Sequence, residues 1–510
     1  MLYWKNLMRA IVPAKLRAST IGYEAASTGR RMVNWKATDE GINALIFNAG
    51  GELRRRSRDM IRKNSWAANA VDSFVSNAIG SGITPRSKHP KKAVREKIQK
   101  LWLRWTDEAD ASGLTDFYGL QSMACRATVE AGECLVRIRN RRPEDGLSVP
   151  LQLQLLEAEH LPSYKTETVS EGRTIRAGIE FDAIGRRVAY HLYREHPGDA
   201  SIFANAMDIT RVPADQVVHI YRPLRPGQLR GQPWLTPVLV KLYDLDKFDD
   251  AVLMLQQVAA QFAGFITKTN PEDSPLPGTS TINDGNTTAA AKTDFVGMEP
   301  GTMQELLPGE NITFSTPPNM GSAYVEFMRT QLRAIAAGLG ITYEQLTGDL
   351  TGVNYSSIRA GLLEFRRRCE QFQHQVIVFQ FCRPIWRRWI VSAVLAGELP
   401  IADFQRQPEN YLAVEWRTPK WAWVDPLKDA RAEVEQVLAG FKSRAAVVAE
   451  QGYDVEDVDA EQATDNARAD SLGLKPASDN RHASTGAAPA PKEPMMSATE
   501  EEEKQKEMIQ

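Results

Sequence analysis

An excess of charge of either sign is missing from this sequence: 62 lysines and arginines stand against 64 aspartates and glutamates in 510 residues. A surface that grips nucleic acid tightly carries a basic surplus, because affinity comes from neutralising phosphates. Near-neutrality argues against strong static binding of that kind, though not against nucleic acid as a passing partner. Cysteine is scarce. Cys125, Cys134, Cys369 and Cys382 form no CxxC pair and fit buried thiols in a reducing compartment, not a disulfide framework. No apolar run approaches the roughly 20 residues that a membrane-spanning helix needs. The one export-like stretch, Met1 to Thr20, is interrupted by Lys5, Arg9, Pro13, Lys15 and Arg17, so it reads as an amphipathic arm. Catalytic signatures are also absent. There is no G-x-x-x-x-G-K-[ST] phosphate loop, no dinucleotide glycine fingerprint and no H-E-x-x-H, and the seven histidines form no i, i+4 pair.

What is present is a soluble, globular composition, 43% hydrophobic and 25% charged, at a length that implies two to four structural units. Apolar spacing predicts a helix from about Leu53 to Ile79, stopped by Gly80 and Gly82, with Arg54, Arg55, Arg56, Arg58 and Arg62 crowding its first turns. Those arginines read as a solvated or subunit-pairing face in preference to a phosphate site. A helix over Lys91–Trp105 follows. From about 130 to 223 the period changes to two. CLVRIRN, Leu151 to Leu155, the pair TIRAGIEF and RRVAYHLY, and QVVHIYRP predict a mainly antiparallel sheet with hairpin turns.

The second half is dominated by long helices. Leu235, Val238, Leu242, Leu245, Phe248, Val252, Leu255, Ala259 and Phe262 step by threes and fours, while Lys241, Asp244, Asp246, Asp249 and Asp250 occupy the other face. One apolar stripe on so long a helix implies a packed neighbour of similar length. A turn-rich polar excursion follows Lys268, and a helix over 323–339 brings the chain back, ended by Gly338 and Gly340. Thr342 and Gln345 fit a capping box for one further turn. LTGDLTGVNYSS then reads as an exposed, structured loop. A third long helix, 356–395, contains Pro384, which should kink it. A strand over YLAVEWRTP, helical text from Pro426 to about 470, and a disordered tail ending in the run Glu500 to Glu503 complete the chain. The fold class read from these elements is α+β.

The strongest enzymatic candidate is Glu157, Glu159 and His160 at the exit of a strand. There two carboxylates on one face could hold a metal, as in a nuclease. Acidic residues at strand exits are commonly just solvated, and no third ligand or general base accompanies them. A metal-dependent DNA-processing enzyme is therefore the alternative reading.

The ordered set LRRRSRDMIRKN, NAIGSGI, FYGLQ, AGECLVR, LQLQLLEAEHL, AGIEFD, VAYHL, VPADQVVHIYRPLRPGQLRGQPWL, LPGENITF and IAAGLGITYEQLTGDLTGVNYSSIRAG resembles the lambda-type tailed-phage portal protein family. The likeness spans most of residues 20–420 and rests on the number, order and spacing of the motifs. It implies a ring, usually of twelve copies, at one capsid vertex, and no enzymatic activity, cofactor or bound metal. Laid on this sequence, the family's parts are an arm at 1–52, partly disordered, and a wing at 53–231. A first stem helix at 232–267, a clip at 268–321 and a second stem helix at 322–346 follow. The tunnel loop is 347–355, the second part of the wing 356–424, the helical crown 425–470 and the disordered tail 471–510.

The resemblance further implies that Thr347, Gly348, Asp349, Leu350, Thr351, Gly352, Val353, Asn354 and Tyr355 border the DNA channel. For Asp349, Asn354 and Tyr355 a turn or cap role is favoured over direct DNA contact. Met303, Gln304, Glu305 and Glu310 would lie on the clip that docks the packaging motor. The implied partners are copies of the same chain, the terminase large subunit, double-stranded DNA, the major capsid protein and scaffold, and a head–tail joining protein. No membrane is among them. The implied location is the virion, with assembly in the host cytoplasm.

Overall fold

Asn64 breaks what the sequence reads as one helix. Its backbone is extended (φ −103°, ψ 120°), ending α1 (Ile42–Lys63) and starting α2 (Ser65–Ile79). The buried side chain accepts the Ala67 N–H at 3.0 Å, a cap of the N-terminus, and donates to Asp246 at 2.8 Å. Helix α1 also begins earlier than expected. It starts at Ile42, inside the stretch read as an arm, and buries Ile46. The computed structural model describes residues 37–169, 172–199, 207–260, 264–268, 310–314, 321–352, 355–419, 421 and 426–474. The chain divides into two units, Met1–Gly82 with Ser87–Val414, and Ile83–Arg86 with Glu415–Gln510.

In the first unit, α3 (Lys92–Thr106) matches expectation, whereas α4 (Phe117–Ala131) was not foreseen. Asp116 caps α4 through the Gly119 N–H at 2.7 Å, and Gly132 ends it at φ 91°. The two helices pack on the third long helical run, where Trp102, Trp105, Phe117, Phe381, Trp386 and Trp389 form one buried aromatic cluster. Trp102 lies 5.0 Å from Trp389 and 5.1 Å from Phe117, centroid to centroid.

Among the described residues of this unit, strand pairing is antiparallel apart from an isolated bridge between Asp110 and Leu153. Three strands, β2 (Glu133–Asn140), β3 (Leu151–Glu157) and β9 (Val217–Tyr221), form a sheet with β2 in the centre. A five-stranded meander comprises β4 (Glu167–Thr168), β5 (Thr174–Arg176), β6 (Ile179–Phe181), β7 (Arg187–Tyr193) and β8 (Ile209–Pro213). TIRAGIEF is thus not one strand but a hairpin, turned at Ala177 (φ 50°) and Gly178 (φ 82°). Leu135 and Leu156 of the smaller sheet pack against Ile179, Tyr190, Leu192 and Val212 of the larger. The outer edge of β9 does not face another strand. The Gln380 side chain accepts the Tyr221 N–H at 2.9 Å and donates to its carbonyl at 3.0 Å, standing in for a neighbouring strand.

The long helices follow. Helix α5 (Leu239–Ala260) leads to β10 (Gly264–Lys268), which pairs with β11 (Glu310–Phe314) before α6 (Gly321–Leu339). The β10–β11 ribbon therefore closes the base of the excursion whose residues 269–309 lie outside the described ones. After a short α7 (Tyr343–Thr347), α8 (Tyr355–Phe372) runs into a π-helical segment, Gln373–Cys382, and then α9 (Arg383–Leu395). The irregularity expected at Pro384 lies upstream of it. The Arg383 N–H reaches back to Val378, so the register has already changed when the proline arrives in the first turn of α9, where an N–H is dispensable. The start of YLAVEWRTP is helical, not extended: α10 (Ile401–Arg406) and α11 (Pro408–Leu412) precede the strand β12 (Val414–Arg417).

In the second unit, β12 pairs with β1 (Thr84–Ser87), and three helices follow: α12 (Pro426–Leu438), α13 (Arg444–Glu450) and α14 (Val455–Ser471). Arg86 and Arg417 both bind Asp454, the residue that caps α14, at 2.7 and 3.0 Å.

Candidate functional site

The loop that follows α7 is built from its own side chains. Thr342 accepts the Gln345 N–H at 3.2 Å while Gln345 accepts the Thr342 N–H at 3.1 Å, the reciprocal cap expected from the sequence. Gly348 ends the turn at φ 72°. Asp349 then folds the chain over. Its carboxylate accepts the Thr351 N–H at 2.9 Å and hydroxyl at 2.5 Å, and lies 3.6 Å from Arg329 of α6. The Thr351 hydrogen bonds hold the Asp349 carboxyl below its ordinary range. Leu350 stays exposed, and Gly352 has φ 74°. Asn69 of α2 anchors the base of the loop by donating to the Gln345 and Leu346 carbonyls at 2.9 and 2.8 Å. Asp349 therefore serves as a turn former in this chain. Val353 and Asn354 lie outside the described residues, and Tyr355 opens α8. Thr342→Ala should cost about 1 kcal/mol, the usual worth of an N-cap, seen as a lowered melting temperature without loss of helix content.

Of the four residues expected on the clip, Met303, Gln304 and Glu305 lie outside the described residues. Glu310 is placed at the start of β11, opposite Lys268.

The helix pair was expected to have one apolar stripe, and it has two. Leu242 and Leu245 of α5 are buried against the body of the unit, while Phe248 meets Phe327 and Tyr324 of α6 at 5.1 and 6.2 Å. The Tyr324 hydroxyl donates to Asp249, whose carboxylate pushes the phenol up to about 12. On the outward face, Val240, Tyr243, Ala251 and Met254 recur at helical spacing, with Val240 72% and Met254 66% exposed. Lys247 lies over the Tyr243 ring within this stripe. Val325 and Phe327 add exposed apolar surface on α6.

Five sequence motifs meet at a buried ionic network that sequence reasoning did not identify. Glu133, at the head of β2, is fully buried and accepts from Arg230 at 2.5–2.9 Å, from the Gly231 N–H at 2.9 Å and from His219 at 3.0 Å. Arg230 also donates to the Leu161, Ala177 and Ala158 carbonyls. Arg54 of α1 lies 3.5 Å from Glu133 and 3.4 Å from Glu159, and Arg58 holds Glu159 with two bonds and Glu157 at 3.0 Å. Close backbone approach completes the corner. A Cβ on Gly231 would sit 1.9 Å from the Gly132 carbonyl oxygen, so no larger residue fits there. Burial alone would raise the Glu133 pKa, but the Arg230 and His219 partners outweigh it and the net shift is strongly downward. Burial keeps His219 below its ordinary value, which Glu133 only partly offsets.

Both shifts have the same consequence. A group depressed in the folded state stabilises above its unfolded pKa and loses that contribution as pH falls. Unfolding free energy should therefore decline below about pH 6.5 as the His219 contribution fades, and more steeply below about 4.5, the ordinary values for these groups. Urea titrations across this range check the profile, and Glu133→Gln should flatten its acid limb.

The expected solvated arginine face holds for Arg55, Arg56 and Arg62, which stay exposed beside Glu52 or Asp59 of α1, and is corrected for two members: Arg54 is buried and Arg58 is half-buried and paired. The pair of carboxylates on one strand face is corrected too. Glu157 ends β3, and Glu159 and His160 lie in a 3-10 turn. The third potential ligand is His196, whose ring nitrogen falls within 4.8 Å of both carboxylates. Arg54 and Arg58 already neutralise these two glutamates, so the donor set is that of a charge-balanced strut, and the enzymatic alternative gains no support from it.

The family described as "Phage portal protein, lambda family" matches residues 28–373. A "Probable portal protein" of Halomonas phage phiHAP-1 is 27% identical over 441 residues, covering 84% of this chain and 83% of the relative. "Portal protein B" of Escherichia phage lambda is 21% identical over 504 residues, covering 89% and 91%. Among solved structures, chains from "Virion of native gene transfer agent (GTA) particle" and "Neck of native GTA particle computed with C12 symmetry" align at 15% and 14% identity. Each has a TM-score of 0.43 and covers 79% of this chain and 93% of that one. Among the described residues, no helix is long and apolar enough to cross a membrane. With its α+β architecture and a match over residues 28–373, the chain belongs to the lambda family of phage portal proteins and is a portal vertex protein of the virion.

Proposed function

We propose that copies of this chain close into a ring, of twelve subunits, around a channel for viral DNA, entering during packaging and leaving on ejection. The observation that carries the reading is the outward apolar stripe of α5. A single copy leaves Val240, Tyr243 and Met254 in water, and closed rotational symmetry covers such a stripe on every subunit. In this reading α5 and α6 are the stem, and 268–321 between them is the clip, which docks the terminase large subunit. The loop 347–355 faces the channel. Residues 53–231 and 356–424 form the wing, and 425–470 the crown. The major capsid protein and scaffold, and a head–tail joining protein, are the remaining partners, met first in the host cytoplasm where the ring assembles.

The portal makes no covalent chemistry in this scheme. The ATP-hydrolysing step belongs to the motor, consistent with the missing phosphate loop. A translocating polymer needs many weak contacts and no deep well, which suits a chain of formal net charge −2. Electron microscopy and native mass measurement of the purified protein are expected to show rings with a central opening. A strictly monomeric species at high concentration would overturn the reading.

A further inference from the structure

The face of β2 that packs against the meander at Leu135 does not stay apolar. Two residues on it becomes Arg137, then Arg139, then Arg141, while the facing positions on β3 change from Leu156 to Gln154 and Gln152. Beyond the last leucines the two sheets part, leaving a cleft of about 320 Å³ bordered by Arg137, Arg139, Arg194 and Glu195, with Leu156, Leu192 and Tyr193 among its walls.

These arginines lack counter-ions. Arg139 donates to Gln154 at 2.5 and 2.9 Å and Arg141 to Gln152 at 2.8 Å, both neutral partners. Among the described residues, the side chains of Arg137 and Arg194 make no hydrogen bond or ion pair, and the Arg137 Nε is buried with nothing to donate to. Arg137 and Arg141 both bear on Arg139 as like charges. Leaving buried guanidinium donors unmet costs free energy that a bound anion would recover. Around Glu133, by contrast, the buried Arg54 and Arg230 are each met by a carboxylate.

We propose that this cleft binds the carboxylates of an extended acidic segment of a protein partner. Alternate residues along a strand project about 6.5–7 Å apart on one face, and alternate glutamates of an extended peptide have the same spacing. The guanidinium fork matches a carboxylate bidentately. The leucine and tyrosine walls offer contact to the aliphatic parts of such a peptide, which a free phosphate would not use. A duplex is too wide and stiff to enter a cavity of this size. Glu195 at the border supplies an acceptor for the peptide's N–H groups.

The test is binding of a dye-labelled synthetic peptide of alternating glutamate and serine to the full-length protein, followed by fluorescence anisotropy. Saturable binding is expected, weakening between about 0.05 and 0.5 M salt, and absent for the same peptide with glutamine in place of glutamate. Arg137→Gln with Arg194→Gln should weaken it roughly tenfold or more. Both side chains lack partners, so the melting temperature should hold. Thr210→Glu, at the exposed border, offers a second arm that leaves every arginine in place and should also abolish binding. Absence of peptide binding at low salt, or unchanged affinity in both variants, overturns the proposal. So does displacement of the peptide by inorganic phosphate or duplex DNA at concentrations comparable to its own.

Discussion

Glu133→Ala should lower the unfolding free energy of the first unit by roughly 3–5 kcal/mol, the usual cost of breaking a buried ion pair from one side. The reason lies less in the attraction lost than in what is left behind. Arg230 would keep its place at 4% side-chain exposure with three backbone carbonyls still bound, and Arg54 would face it across an empty corner. Two like charges would then share one desolvated site. The prediction separates from simple cavity formation through a double-mutant cycle. Glu133→Ala combined with Arg230→Met removes the stranded charge, so the pair should cost less than the sum of the single changes. Guanidinium denaturation of the four proteins measures it, and strict additivity would refute the account.

For the ring proposed above, Val240→Asp with Met254→Asp should yield single chains. Each of these side chains contributes about 1.5–3 kcal/mol when fully removed from water, and a ring repeats that contribution at every interface. A carboxylate in its place must be desolvated without a partner, which reverses the sign. Both positions are exposed in the isolated chain, so the folded unit itself should lose little. Analytical ultracentrifugation at concentrations where the unaltered protein is annular gives the outcome. Persistence of the ring in the double variant would mean that this stripe is not the subunit contact.

Legibility in the sequence followed how local each determinant is. The cap at Thr342, the glycine stops at Gly80 and Gly340, and the alternation of CLVRIRN all rest on neighbours within a few residues, and all appear in the structure. Helix α4 escaped because its buried face mixes Leu120 and Val129 with Gln121, Ala124, Cys125 and Thr128, which weakens the apolar period. The hairpin inside TIRAGIEF was hidden by an alanine at positive φ, a position where glycine or asparagine is the usual sign. The ionic corner could not be read at all. Its members, Arg54, Glu133, Glu159, His219 and Arg230, are spread over nearly 180 residues, and nothing local marks a glutamate at the head of a strand as the one whose charge is buried. The motif strings signalled that those segments matter. They did not say that they matter to one another.

The side-chain amide of Gln380 along β9 has a consequence for crowding. The proposed ring brings identical sheet borders close together, and an open border recruits its twin into ladders without end. Here the last donor and acceptor of that border are already taken by a residue from a helix, with no backbone left to extend the pattern. Growth by strand addition stops after zero steps at this position.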